Sequence, residues 1–91
     1  MHPYFEKLSP HEINKSTILT GSIGAAFEDF RYRIRPDVKE GTVSCATYTV
    51  MSYEKASDVE ERVYTYDEAG VGEMKLWLQS QYEKYLSERG L

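Results

Sequence analysis

Cysteine occurs once in the chain, at Cys45, so no internal disulfide framework can form. Histidine occurs twice, at His2 and His11, and that separation matches no metal-ligand spacing. No apolar run approaches the ~20 residues of a membrane-spanning helix. The opening Met1–Leu8 stretch has no apolar core of the secretory kind. Repeats, low-complexity tracts, Ser/Gly-rich linkers and blocks of like charge are all absent. So are a Gly-x-Ser-x-Gly elbow and a phosphate loop. Gly70-Val71-Gly72 is only a fragment of a Gly-rich loop, without its Lys and third Gly. These absences argue against a membrane protein, a disulfide scaffold and the common nucleotide-binding enzymes. They make a reducing, cytoplasmic setting the expected one, with no cofactor and no metal.

Branched aliphatics and Phe are sparse, 19 of 91 residues, close to the composition of disordered chains. Eight Tyr, one Trp and three Met supply the missing core material. A chain of this length buries roughly 64% of its unfolded surface, enough for one modest core, so a single domain over 1–91 is expected. The net charge is −4. It is unevenly spread: residues 27–35 sum to +1 and residues 36–91 to −5. A free-standing, non-specific nucleic-acid binder usually carries the opposite sign.

The first firm local signal is Leu8-Ser9-Pro10-His11-Glu12-Ile13. Ser9 fits a helix N-cap, Pro10 the first helical position, and Glu12 completes a capping box, with Leu8 and Ile13 at the staple positions. The helix should be short, because residues 16–20 are rich in β-branched side chains and Gly21 and Gly24 follow. Residues 17–23 are open between helix and an extra short strand. Residues 27–35 alternate with period two: Phe30, Tyr32 and Ile34 point one way, Arg31, Arg33 and Arg35 the other. Pro36–Gly41 carries turn chemistry. Residues 42–53 and 59–66 read as further strands, joined by a polar turn. If Pro36–Gly41 is the loop, Ile34 pairs with Val43, Tyr32 with Cys45 and Phe30 with Thr47. From Asp67 to Arg89 the period becomes helical, with Val71, Met74, Trp77, Leu78, Tyr82, Tyr85 and Leu86 in one stripe. Gly70 and Gly72 weaken the first turn, so the helix could begin as late as Gly72, and Gly90 would close it. The expectation is an α+β fold: a short N-terminal helix, a three- to four-stranded antiparallel sheet, and a C-terminal amphipathic helix on one sheet face. Phe30, Tyr32, Ile34, Val43, Cys45 and Met51 would form the core under that helix.

Chemistry-bearing residues are few. His2 lies at a terminus expected to fray, and His11 sits in a first helical turn, where the dipole disfavours an imidazolium. Cys45 alternates with core residues and reads as a buried, inert thiol. Glu28-Asp29 and Glu60-Glu61 are adjacent on strands, so each pair points to opposite faces and cannot share an ion. No catalytic residue is assigned. The candidate binding surface is the second sheet face, with Arg31, Arg33, Arg35, Tyr48 and Val50, joined in one register by Arg62, Tyr64 and Tyr66. Alternate Arg side chains form a ladder with ~6.6–7 Å steps, close to successive phosphates. Arg and Tyr are also the residues enriched at protein interfaces, whereas the Lys favoured by non-specific nucleic-acid surfaces is scarce. The plainer alternative is a solvated face whose Arg residues pair with Glu28, Asp29, Glu60 and Glu61. Leu76 points away from the apolar stripe and offers a second contact patch, whose simplest use is a helix–helix homodimer.

The order helix–three strands–helix resembles that of double-stranded-RNA-binding domains. The segment Asp67–Glu73 is acidic where those domains are Lys-rich, so that function is not carried over. A three-stranded sheet followed by a helix also resembles the arm-binding domains of phage-type integrases. There the sheet face enters DNA, a part that Arg31, Arg33 and Arg35 could play. In size, mild acidity and lack of catalytic residues, the chain is similar to small phage-encoded inhibitors, including anti-CRISPR proteins, by class alone. The expected function is stoichiometric, non-enzymatic binding of a protein or ribonucleoprotein partner. It comes with weak or no binding of free nucleic acid and no membrane association. Direct nucleic-acid binding through the same Arg/Tyr face is the alternative.

Overall fold

The computed structural model of the protein describes residues 1–14, 18–24, 29–49 and 59–88. Two one-turn helices come first, α1 (Pro3–Glu6) and α2 (Pro10–Asn14). Four strands follow, β1 (Leu19–Ile23), β2 (Phe30–Asp37), β3 (Thr42–Tyr48) and β4 (Glu60–Thr65), and then α3 (Glu68–Glu88). The strands form one antiparallel sheet in the order β1-β2-β3-β4. α3 packs against one face of it, which makes the α+β fold read from the sequence. Val50, Met51 and Gly90, and the predicted strand ends at 17, 27–28 and 50–53, lie outside the described residues.

The local signals translate directly into structure. The Glu12 amide donates to Ser9 Oγ at 3.2 Å, the N-cap bond the capping-box pattern requires. Leu8 and Ile13 on either side of it are both buried in the core. Residues 19–23 resolve as strand, and β1 pairs with β2 so that Leu19 lies opposite Ile34. α3 begins at Glu68, earlier than its glycines suggest, because Asp67 caps it: Oδ1 accepts from the Gly70 amide at 2.7 Å and from the Thr65 hydroxyl at 3.0 Å. Gly70 is required there for space, since a Cβ would collide with the Thr65 carbonyl oxygen.

The β2–β3 register differs from the expected one by two residues. Ile34 pairs with Cys45, Tyr32 with Thr47 and Pro36 with Val43. The strands run on through Pro36 and Asp37, and the turn is only Val38–Gly41. Gly41 takes a left-handed φ of 67°, and the Glu40 amide is held by Asp37 Oδ1 at 3.2 Å. Among the described residues β1 begins at Leu19, opposite Ile34, and no described residue of β1 pairs with Pro36. A shift of two preserves side-chain parity, so the two faces stay as assigned.

Phe30, Tyr32, Ile34, Val43 and Cys45 form the sheet's half of the core, and Val71, Met74 and Leu78 the half from α3. Phe5, Leu8 and Ile13 from the N-terminal arm close one flank. The arm is not frayed at His2. The His2 amide donates to Gln79 Oε1 at 2.8 Å, its Nδ1 accepts from the Tyr4 amide at 3.1 Å, and its ring packs edge-on against Tyr82. Lys75 Nζ caps the arm by donating to the Glu6 carbonyl at 2.7 Å.

Leu78 is fully buried where α3 meets the sheet. Replacing it with Ala should cost about 2–5 kcal/mol, a large share of a small domain's stability, and lower the urea midpoint accordingly. An unchanged midpoint would contradict the helix-on-sheet packing.

Candidate functional site

Residues of β2 divide between two environments because a strand sends alternate side chains to opposite faces. With Phe30, Tyr32 and Ile34 held in the core, Arg31, Arg33 and Arg35 must emerge on the outer face. The cross-strand register sets their neighbours. Arg31 lies opposite Tyr48, Arg33 opposite Ala46 and Arg35 opposite Ser44. β4 extends two of these rows, with Glu61 beside Ala46 and Val63 beside Ser44.

The three arginines are not equivalent. Arg31 is half-buried, with Nη2 donating to both carboxylate oxygens of buried Asp29 at 3.3 and 3.4 Å. Its Nε is buried without a hydrogen-bond partner. Arg33 is half-buried and Arg35 exposed. These two border a shallow notch of about 180 Å³ lined also by Ser44, Cys45, Ala46 and Glu61. The Ser44 hydroxyl is spent within the sheet, donating to the Arg35 carbonyl at 3.3 Å. Tyr48 is buried, at 7% exposure, so it offers no open stacking surface.

Arg62, Tyr64 and Tyr66 do not join this face. The β3–β4 register pairs Arg62 with Cys45 and Tyr64 with Val43, which puts both on the helix side of the sheet. Arg62 lies over the Trp77 ring at 5.6 Å and donates from Nη1 to the Glu61 carbonyl at 2.8 Å. Tyr64 packs against the core, and the Tyr66 hydroxyl donates to the Pro10 carbonyl at 2.9 Å, tying the end of β4 to α2. Glu60 also faces the helix and bridges to Lys84 Nζ at 3.2 Å. Among the described residues, the charged groups on the outer face are Arg31, Arg33, Arg35 and Glu61, with Val63 exposed beside them. Leu76 stands out from α3 at 65% exposure, as its place off the stripe requires.

Cys45 is buried on the helix side, and burial, with the Glu61 carboxylate adding to it, pushes its thiol well above the ordinary range. Burial also raises Tyr32, with Tyr4 and Cys45 adding to the effect. The thiol therefore stays protonated at neutral pH and is a poor nucleophile. Among the described residues, no group of three or more His, Cys, Asp or Glu is placed to hold a metal ion. None of their helices is long and apolar enough to cross a membrane. No protein-family model, curated protein or solved structure matches this chain.

The Cys45 shift has a consequence for stability. The unfolded chain loses the thiol proton near its ordinary value of about 8.5, whereas the folded chain keeps it. Stability is therefore fully present below that value and falls as pH rises beyond it, by up to ~1.4 kcal/mol per pH unit. Denaturant melts between pH 8.5 and pH 10 should show this slope in the wild type and a clearly shallower one in Cys45→Ala, where only the raised tyrosines remain. A wild-type curve that is flat across the interval would contradict a buried thiol.

Proposed function

We propose that this protein is a non-enzymatic binding module that engages an acidic protein or ribonucleoprotein partner stoichiometrically through its outer sheet face. One observation carries the reading: α3 and the N-terminal arm pack against the same face of the sheet, and β2 presents its arginines on the other. Arg33 and Arg35 supply the recognition. A guanidinium docks a carboxylate or phosphate in a two-pronged geometry, and such a pair gains strength when a partner excludes water from it. Arg31, already paired with Asp29, holds the edge of the surface in place. A small protein acting in this way belongs functionally with regulators or inhibitors, such as those encoded by phages and mobile elements.

Direct nucleic-acid binding is the less favoured reading. Asp29 neutralises one rung of the ladder, Glu61 shares a row with another, and Tyr48 is closed to stacking. Each phosphate contact made would add only about −0.9 to the logarithmic salt slope on duplex DNA.

The test is affinity capture from the native host, run in parallel with the wild type and with Arg33→Ser/Arg35→Ser. The double variant should melt within a few degrees of the wild type, because surface ion pairs contribute only about 0–1 kcal/mol each. It should lose a partner that the wild type retains in nuclease-treated lysate. Equal capture by both proteins would overturn the reading, and nuclease-sensitive capture would favour nucleic acid.

A further inference from the structure

The sheet has two edge strands, β1 and β4, and they are built differently. β4 reads Glu-Glu-Arg-Val-Tyr-Thr, and its charged side chains are a common protection against pairing with another chain. β1 reads Leu-Thr-Gly-Ser-Ile, with neither charge nor proline. Its register with β2 runs unbroken from Leu19 to Ile23, so no bulge turns the edge away. Among the described residues, nothing pairs with the other side of β1. Backbone N–H and C=O groups therefore line that side at the spacing a further strand would need.

The order of side chains along β1 says which strand fits. Pairing with β2 puts Leu19, Gly21 and Ile23 on the helix side of the sheet, and the exposed Thr20 and Ser22 on the outer side. By class the strand reads the same from either end: aliphatic, hydroxyl, glycine, hydroxyl, aliphatic. We infer that β1 pairs with β1 of a second copy of this chain, antiparallel about a two-fold axis through Gly21, so that two four-stranded sheets become one of eight strands. Leu19 then lies opposite the partner's Ile23, and Thr20 opposite the partner's Ser22. Residues directly opposite in an antiparallel pair point to the same face, so aliphatic meets aliphatic on the helix side and hydroxyl meets hydroxyl on the outer side. The chain carries a net charge of −4, yet the paired strands bring no two like charges together.

Gly21 adds an independent mark. A Cβ there would collide with the Tyr32 phenol oxygen, so the Tyr32 ring reaches from β2 over the bare backbone of β1 on the helix side. Among the described residues that hydroxyl makes no hydrogen bond. With Gly21 opposite the partner's Gly21, the two Tyr32 hydroxyls face each other across the axis, about one strand spacing, ~4.8 Å, apart.

A contact of five residues from each copy is small, so the dimer is reversible. It also stops at two, because the two-fold pairing consumes the uncharged edge and leaves only the charged one open. The outer face and its arginines are not covered, so the inference is independent of the binding function proposed above.

Sedimentation of the wild type, from micromolar to near-millimolar protein, should show a monomer–dimer equilibrium with no larger species. Hydrogen exchange over the same range should slow in the β1 amides as concentration rises and stay unchanged in β4. Thr20→Glu/Ser22→Glu sets two pairs of carboxylates directly opposite each other across the axis, and Thr20→Lys/Ser22→Lys does the same with ammonium groups. Each double variant alone should weaken the dimer about tenfold. An equimolar mixture of the two should restore it, because every facing pair is then opposite in sign. If either variant folds poorly, the exchange pattern of the wild type decides the matter by itself. A wild type that is monomeric throughout would overturn the inference. So would a dimer whose added protection falls on β4 or α3 and not on β1, or double variants that dimerise as the wild type does.

Discussion

Burial of Ile34 in the core that also holds Met74 and Leu78 is the constraint from which the rest of the structure follows. Ile34 sits mid-strand on β2, with Leu19 opposite it on β1 and Cys45 on β3. Fixing that side chain inward fixes the facing of all of β2, because the side-chain period is two. Arg33 and Arg35 on either side are then directed outward. The outward placing of these arginines is a consequence of the core.

The core is small, and the helical side of it is assembled from pieces. α3 and the arm share the cover of the Phe30–Tyr32 end of the sheet. Phe5 fills that end, with its ring edge-on to both Phe30 and Tyr32 at centroid distances of 6.1 and 5.5 Å. Tyr82 and Tyr85 on α3 continue the aromatic packing against Phe30. Aromatic rings thus stand where a larger domain would use branched aliphatics, which reconciles a chain poor in Leu, Ile and Val with a closed core.

Features set by neighbouring residues are legible in the sequence. The Ser9 cap depends on an interaction three residues long, and the facing of β2 depends only on alternation. The stripe on α3 and the outlying Leu76 follow from helical spacing. Features set by turn length or distant partners are not legible. The β2–β3 register turns on whether Pro36 ends a strand or sits within one, which local turn chemistry does not decide. The long connection before β4 leaves its register open, so the pattern alone allows Arg62, Tyr64 and Tyr66 beside the arginines, whereas the fold takes them to the helix side. The N-terminal arm gives almost no signal, since one helical turn has no period. Its anchor, the His2 amide on Gln79, spans nearly the whole chain. Gly70 reads locally as a weak helix residue, and only the Thr65 carbonyl beside it shows why a side chain is excluded.

The division of β2 between core and surface can be measured directly by thiol labelling in a Cys45→Ala background. A single cysteine placed at position 35 should react with an aromatic disulfide reagent at close to the rate of an unfolded chain. The same cysteine placed at position 34 should react only as fast as the protein opens, slower by several orders of magnitude for a domain stable by a few kcal/mol. Comparable rates at the two positions in folded protein would contradict the alternation on which the core and the proposed binding face both depend.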